Sequence, residues 1–173
     1  MRFQYDFATD NYHGLIGIYF NKVLRNVIEI GELNKKNDTV LDFGCGLKKL
    51  KPYVKNYVGY DIDKRFTEIN DWKHINFDIV VVNYVFMYMA KREIGDFIKK
   101  LYKHNPNVKM IFGTTKMNII TKSIKFIRGE LMSEIDVQST YKEQIEILNK
   151  YFYVVKSKSL LGLNNVYLMR FRS

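Results

Sequence analysis

Apolar residues recur at positions 16, 19, 20, 23, 24 and 27, the spacing of a helix with one buried face. The pattern predicts a helix from Asn11 to Gly31, with Asp10 or Asn11 capping its start and Gly31 its end. A polar turn from Asn34 to Asp38 leads into a strand over Thr39–Phe43. Leu47–Val54 reads as a short helix whose last turn is disturbed by Pro52, and Tyr57–Tyr60 reads as a second strand. Asp61 and Phe77 are only 16 positions apart. A parallel crossover with its own helix uses a dozen or more residues before the next strand starts. The second helix is therefore expected to be missing or vestigial and the third strand very short. Phe77–Asn83 is a β-branched strand suited to a sheet centre. Ala90–His104 is an amphipathic helix with Ile94, Phe97, Ile98, Leu101 and Tyr102 on one face, stopped by Asn105-Pro106-Asn107. Val108–Gly113 is the next strand. Ile119–Leu131 repeats the amphipathic pattern, with Lys122, Lys125 and Arg128 opposite its apolar face. Thr140 and Glu143 have the spacing of a capping box before a helix bearing Ile145, Leu148 and Phe152. Tyr153–Ser159 and Asn165–Phe171 read as a terminal hairpin.

Strands alternating with helices before a hairpin predict a single α/β domain over residues 1–173. The expected architecture is a three-layer sandwich around a mostly parallel, seven-stranded-type sheet that ends in the antiparallel hairpin. The most informative stretch is Val40–Gly46, where a buried strand ends in Asp42 and a glycine turn, followed by Val58-Gly59-Tyr60-Asp61. An open parallel sheet holds nucleoside ligands at the carboxyl ends of its strands. Glycines let backbone and ligand approach closely. The second carboxylate, 19 positions after the first, suits both hydroxyls of a ribose. A dinucleotide fingerprint wants a third glycine where Lys49 stands, and Asp42 inside the turn would repel a phosphate.

Composition changes the picture little. A content of 47% hydrophobic and 27% charged residues is that of an ordinary globular protein. No apolar run reaches the ~20 residues that span a bilayer. The N-terminus carries Arg2, Asp6 and Asp10 and lacks the apolar core of a signal peptide, so a cytoplasmic protein is expected. The one cysteine, Cys45, excludes an internal disulfide and a cysteine-cluster metal site. The net charge of +10 either steers an anionic partner or only solvates the surface.

Val40–Gly46, Val58–Asp63, Phe77–Asn83 and the terminal strands together resemble the class I, Rossmann-like S-adenosylmethionine-dependent methyltransferases. The resemblance covers residues 38–113 best and implies a cofactor-binding core there. Residues 1–37 would be an N-terminal helical cap, 114–139 a lid over the substrate, and 140–173 a C-terminal helix and hairpin. The resemblance implies S-adenosyl-L-methionine as cofactor. Gly44 and Gly46 would lie under its methionine portion, with Cys45 between them. Asp42 would hold the turn and face the amino group. Asp61 would accept the ribose hydroxyls, Ile62 would lie against the adenine, and Asp71-Trp72 would sit near the adenine amino group. Asn83 would stand beside the sulfonium. Two positions depart from the family pattern. Lys48 replaces a frequent third glycine, and Asn105-Pro106-Asn107 replaces a Pro-Gly-Gly turn.

The acceptor is open at the level of sequence. Asn83-Tyr84-Val85-Phe86 lacks the prolines of base amino-group methyltransferases, and no cysteine serves cytosine C5 chemistry. A small-molecule, sugar or lipid acceptor is the first reading, RNA methylation on the basic surface a second, and a non-catalytic binding module a third. No general base stands out. Tyr88 is either an acceptor-orienting residue or a packing tyrosine, and His13 reaches the substrate only if the first helix caps the site. Cys45 is either a thiol nucleophile or a small filler of the turn. The basic segment 119–131 is either a lid or a helix packed on the sheet.

Overall fold

The computed structural model describes residues 14–116 and 137–172. Helix α1 (Gly14–Gly31) is followed by β1 (Thr39–Phe43), β2 (Asn56–Tyr60), β3 (Ile79–Asn83), α2 (Lys91–His104), β4 (Lys109–Thr115), α3 (Tyr141–Tyr151), β5 (Phe152–Leu160) and β6 (Asn164–Phe171). One six-stranded sheet runs β2-β1-β3-β4-β6-β5. The first four strands are parallel, and β6 runs antiparallel to both β4 and β5. This is the expected α/β sandwich with its antiparallel end.

Helix α1 buries Val23, Val27, Ile28 and Ile30 against Val40, Ile79, Val81, Ile111 and Val166 of the sheet. The opposite face of the sheet is covered by α2 and α3, whose Ile94, Phe97, Ile98, Leu101 and Leu148 pack on Val80, Val82, Met110, Phe112 and Met169. The central strands are apolar on both faces because helices cover both. Gly31 ends α1, but the left-handed residue is Glu32, at φ 52°. Gly31 serves a different purpose: a Cβ there would lie 2.4 Å from Ile111 Cδ1, so it lets the helix approach β4. Thr140 and Glu143 form the reciprocal capping box at the start of α3. No helix among the described residues is long and apolar enough to cross a membrane.

Two elements differ from the sequence pattern, the Leu47–Val54 helix and the short third strand, while the second helix is vestigial as expected. Leu47–Val54 forms turns and a single 3-10 turn over Lys51–Tyr53, because Pro52 allows no longer helix. Between β2 and β3 the chain forms only a 3-10 turn at Trp72–His74. The short third strand is absent with its helix, so the sheet of the described residues has six strands. His13, the cap at Asp10 or Asn11, and the segment 119–131 lie outside the described residues.

Candidate active site

Strand β1 lies between β2 and β3, so the chain leaves it in one direction and returns on its other side. The resulting switch point opens a crevice at the carboxyl ends of the strands, where α/β sheets bind ligands. The turn after β1, the end of β2 and the end of β3 all reach it.

The turn is folded onto β2. The N–H groups of Gly44 and Cys45 both donate to the Tyr60 carbonyl, at 2.7 and 3.1 Å. Gly44 has φ 78° and Gly46 φ 45°. A Cβ on Gly44 would stand 2.3 Å from Val85 Cγ2, so this position needs glycine for space as well as for its backbone. Asp61 clamps the turn from β2. One carboxylate oxygen accepts from Gly46 N–H at 2.9 Å and the other from Asp63 N–H at 2.9 Å. Each oxygen retains a second lone pair for another donor. Ile62 beside it is 80% exposed, a bare apolar surface at the mouth of the crevice.

Asp42 lies beneath the turn, buried, and accepts from the Tyr57 hydroxyl at 3.0 Å. Burial pushes its pKa up to about 7; the Tyr57 hydrogen bond opposes this, while the charges of Asp61 and Glu68 add to it. The Tyr57 hydroxyl is in turn raised by burial and by Asp42. Gly59 makes the contact achievable, since a Cβ there would lie 2.9 Å from the Tyr57 hydroxyl and 3.1 Å from Cys45 Sγ. Cys45 is buried, and burial together with Asp42 and Asp61 pushes its thiol up to about 12. A thiol held protonated is no nucleophile, so Cys45 fills the turn.

At the end of β3, Asn83 Oδ1 is buried without a hydrogen-bond partner. A Cβ on the neighbouring Gly113 would stand 2.0 Å from it. Tyr88, 51% exposed, lies in the 3-10 turn Phe86–Tyr88 that follows. Asp42, Gly44, Cys45, Gly46, Asp61, Ile62 and Asn83 therefore gather at one end of the sheet. Asp71 and Trp72 have other partners. Asp71 caps its own 3-10 turn through Lys73 N–H at 3.0 Å and pairs with Lys73 Nζ at 2.9 Å. Trp72 is 5% exposed and packs in the core against Phe43, Phe77, Phe97 and His104.

Solved structures similar to this chain share one architecture. Magnesium protoporphyrin IX methyltransferase of Synechocystis PCC 6803, with bound SAH, aligns over 90% of this chain and 83% of its own at 16% identity and a TM-score of 0.60. The N-methyltransferase NodS of Bradyrhizobium japonicum aligns over 90% and 98% at 16% identity and a TM-score of 0.58. This is the class I methyltransferase fold. A protein of Pyrococcus horikoshii aligns over 99% of this chain and all 100% of its own at 13% identity, with a TM-score of 0.68. No protein-family model and no curated protein matches the sequence.

Lys48, at the position expected for the third glycine, has a left-handed backbone at φ 55°. Its N–H donates to the Cys45 carbonyl at 2.8 Å, and its ammonium lies 3.6 Å from Glu68. Sequence reasoning missed Tyr57, Glu68 and Val85. Only Gly59 gave a signal, because a glycine inside a strand marks a close approach of other groups.

Proposed function

We propose that the protein transfers the methyl group of S-adenosyl-L-methionine to a small-molecule acceptor. The observation that carries this reading is the meeting of three features at the switch point. They are a glycine turn clamped by Asp61, a buried carboxyl at Asp42, and the unpartnered Asn83 Oδ1. S-adenosylmethionine presents an ammonium, a sulfonium and ribose hydroxyls, all cations or donors, and this acceptor-rich end fits them. A pyrophosphate would meet Asp42 and Asp61 as like charge.

Gly44 and Gly46 form the bed for the methionine portion, and Asp42 supplies negative charge below it. Asp61 accepts from the ribose hydroxyls with its remaining lone pairs, and Ile62 covers the adenine. Asn83 Oδ1 accepts from a donor of the same ligand. When bound, the cofactor supplies a methyl carbon activated by positive sulfur. The remaining work of the chain is to orient the acceptor and exclude water. Tyr88, exposed beside the end of β3, is the described residue best placed to orient an acceptor group. One similar structure is that of a magnesium protoporphyrin IX methyltransferase, which supports the small-molecule class.

A non-catalytic binding module is the second reading, favoured by Lys48 at the third-glycine position. Isothermal titration with S-adenosylmethionine and S-adenosylhomocysteine separates the two. Saturable one-to-one binding by folded protein supports the enzyme. No heat with either nucleoside overturns it.

A further inference from the structure

Among the described residues, Glu32, Lys48, Tyr84 and Leu161 are the non-glycine residues at positive φ. Glu32 follows helix α1, Lys48 lies in the turn after β1, and Leu161 sits at the tip of the β5–β6 hairpin. Tyr84, at φ 61°, is the aromatic one, and it stands directly after Asn83 where β3 opens into the crevice. A left-handed backbone crowds the Cβ of any L-residue, so a tyrosine keeps it only where its surroundings over-determine it.

Three elements hold Tyr84. Its N–H donates to the Gly113 carbonyl of β4 at 2.9 Å. Its hydroxyl accepts from Asn164 Nδ2 of β6 at 2.9 Å. The same Nδ2 donates to the Thr114 carbonyl at 2.9 Å. A carbonyl can only accept, so the amide nitrogen is fixed on the side of Tyr84. Asn164 is fully buried and gives the hydroxyl a packed anchor. The Tyr84 ring meets Phe20 of α1 edge to face, with centroids 5.8 Å apart and planes at 71°.

What Tyr84 positions lies on either side of it. Val85 follows and packs on Gly44: a Cβ there would stand 2.3 Å from Val85 Cγ2 and 3.4 Å from its Cβ and Cγ1. Val85 also starts the 3-10 turn Phe86–Tyr88, and its carbonyl accepts from Tyr88 N–H at 3.0 Å. One backbone torsion therefore sets both the contact of Val85 with the cofactor bed and the place of Tyr88 on the acceptor side. A swing to the right-handed or extended backbone that tyrosine prefers would carry Val85 off Gly44 and move Tyr88 with it. Methyl transfer needs donor and acceptor lined up within about 3–3.5 Å, so the joint between their two supports bears on the reaction. We propose that Tyr84 is a positioning residue of this site, a strained joint anchored on Asn164, Phe20 and Gly113 that holds Val85 on the glycine turn and Tyr88 beside it. The inference rests on the methyl-transfer reading and goes beyond it, since Tyr84 acts through Val85 and not on a ligand.

Tyr84→Phe tests it by removing only the hydroxyl that Asn164 grips. Thr115→Val is the control. It removes from the same pair of strands a hydroxyl that donates to the Leu163 carbonyl at 2.8 Å, and leaves Tyr84 alone. Each variant loses one hydrogen bond, so their melting temperatures should fall by similar amounts. S-adenosylhomocysteine affinity, measured by calorimetry well below melting, should fall about fivefold or more in Tyr84→Phe and stay within about twofold in Thr115→Val. Amide NMR of the ligand-free proteins reads the turn itself. The Gly44, Cys45 and Gly46 resonances should shift and broaden in Tyr84→Phe and keep their places in Thr115→Val. Tyr84→Gly adopts the left-handed backbone without cost but has no ring to anchor it. It should lose about tenfold in affinity with the same resonance changes, and it decides the matter if Tyr84→Phe does not fold. Unchanged affinity or unchanged turn resonances in the folded Tyr84 variant, or equal changes in Thr115→Val, overturn the inference and leave the methyl-transfer reading standing. Failure of S-adenosylhomocysteine to bind the natural chain overturns that reading and this inference with it.

Discussion

Replacing Asp42 with asparagine should stabilise the fold and weaken the cofactor site in one step. The amide of Asp42→Asn would keep an oxygen for the Tyr57 hydroxyl, now 3.0 Å from Asp42, and lose only the charge. The folded protein raises this carboxyl from 3.8 to about 7, chiefly by burial. At about 1.36 kcal/mol per pKa unit, ionising it in place costs on the order of 4 kcal/mol relative to the unfolded chain. Below about pH 4 both states hold the proton and there is no penalty. Between pH 4 and 7 the folded state keeps a proton that the unfolded state has released, so stability falls as pH rises. Above about 7 the penalty is complete. Urea unfolding at pH 5, 6, 7 and 8 should therefore show the variant's advantage growing with pH and levelling above 7. The same titration bears on function. A cationic ligand favours ionised Asp42, so the natural chain should bind S-adenosylmethionine more tightly as pH rises from 5.5 toward 7. The variant should bind weakly at every pH. Equal stability of the two proteins at pH 8, or a natural chain whose stability is flat from pH 5 to 8, would refute the reasoning.

Asp61→Ala removes the acceptor for the Gly46 and Asp63 N–H groups, each at 2.9 Å. It should cost about 1–3 kcal/mol in unfolding experiments and at least a hundredfold in S-adenosylhomocysteine affinity by calorimetry; unchanged affinity would remove Asp61 from the site. Gly113→Ala sets a methyl 2.0 Å from Asn83 Oδ1, at the free end of a side chain that can swing away. Melting should shift little while cofactor affinity falls about tenfold, roughly the ~1.4 kcal/mol of one lost hydrogen bond. Lys48→Gly relieves a lysine at φ 55° and loses an ion pair of 3.6 Å. Left-handed backbone costs an L-residue about 1–2 kcal/mol and a partly exposed pair returns about 0–1 kcal/mol. The variant should be the more stable, by more in high salt than in low; a less stable variant at every salt concentration would sink the argument.

The strands were legible because their chemistry is one-dimensional. Val40-Leu41 and Ile79–Val82 are apolar runs that only a doubly covered sheet buries, and Thr140 with Glu143 announces a helix start. The glycine turn and Asp61 were legible because both depend on backbone geometry that few residue types permit. The partners of Asp71 and Trp72 were not legible, for a physical reason. An acid two residues before a lysine caps its own turn, and a tryptophan next to an apolar strand finds the core before it finds a ligand. Asn164 was illegible. An asparagine at a hairpin reads as a turn residue, and only the register of β6 against β4 sets it, buried, against the end of β4.

The shortened crossover between β2 and β3 and the lysine at the third-glycine position meet at Glu68. Among the described residues no third strand pairs with β2, which is a sheet edge, and the position of Asp61 depends on that edge holding. Glu68 supplies what a strand would have supplied. Its N–H donates to the Gly59 carbonyl at 2.8 Å, and its carboxylate accepts from the Gly59 N–H at 3.0 Å. Partial desolvation pushes that carboxyl up, but Lys51 at 2.7 Å, the Gly59 N–H and Lys48 together hold it below the usual range. It stays ionised, so the bond from Gly59 is charge-assisted. Lys48 at the third-glycine position joins the turn to the same carboxylate. The lysine that looks like damage to the glycine turn is thus one end of the bridge by which the turn and the shortened crossover hold each other. The charge of Glu68 in turn helps to lift Asp42 toward neutrality. The repair of the edge and the tuning of the acid beneath the turn therefore share one side chain.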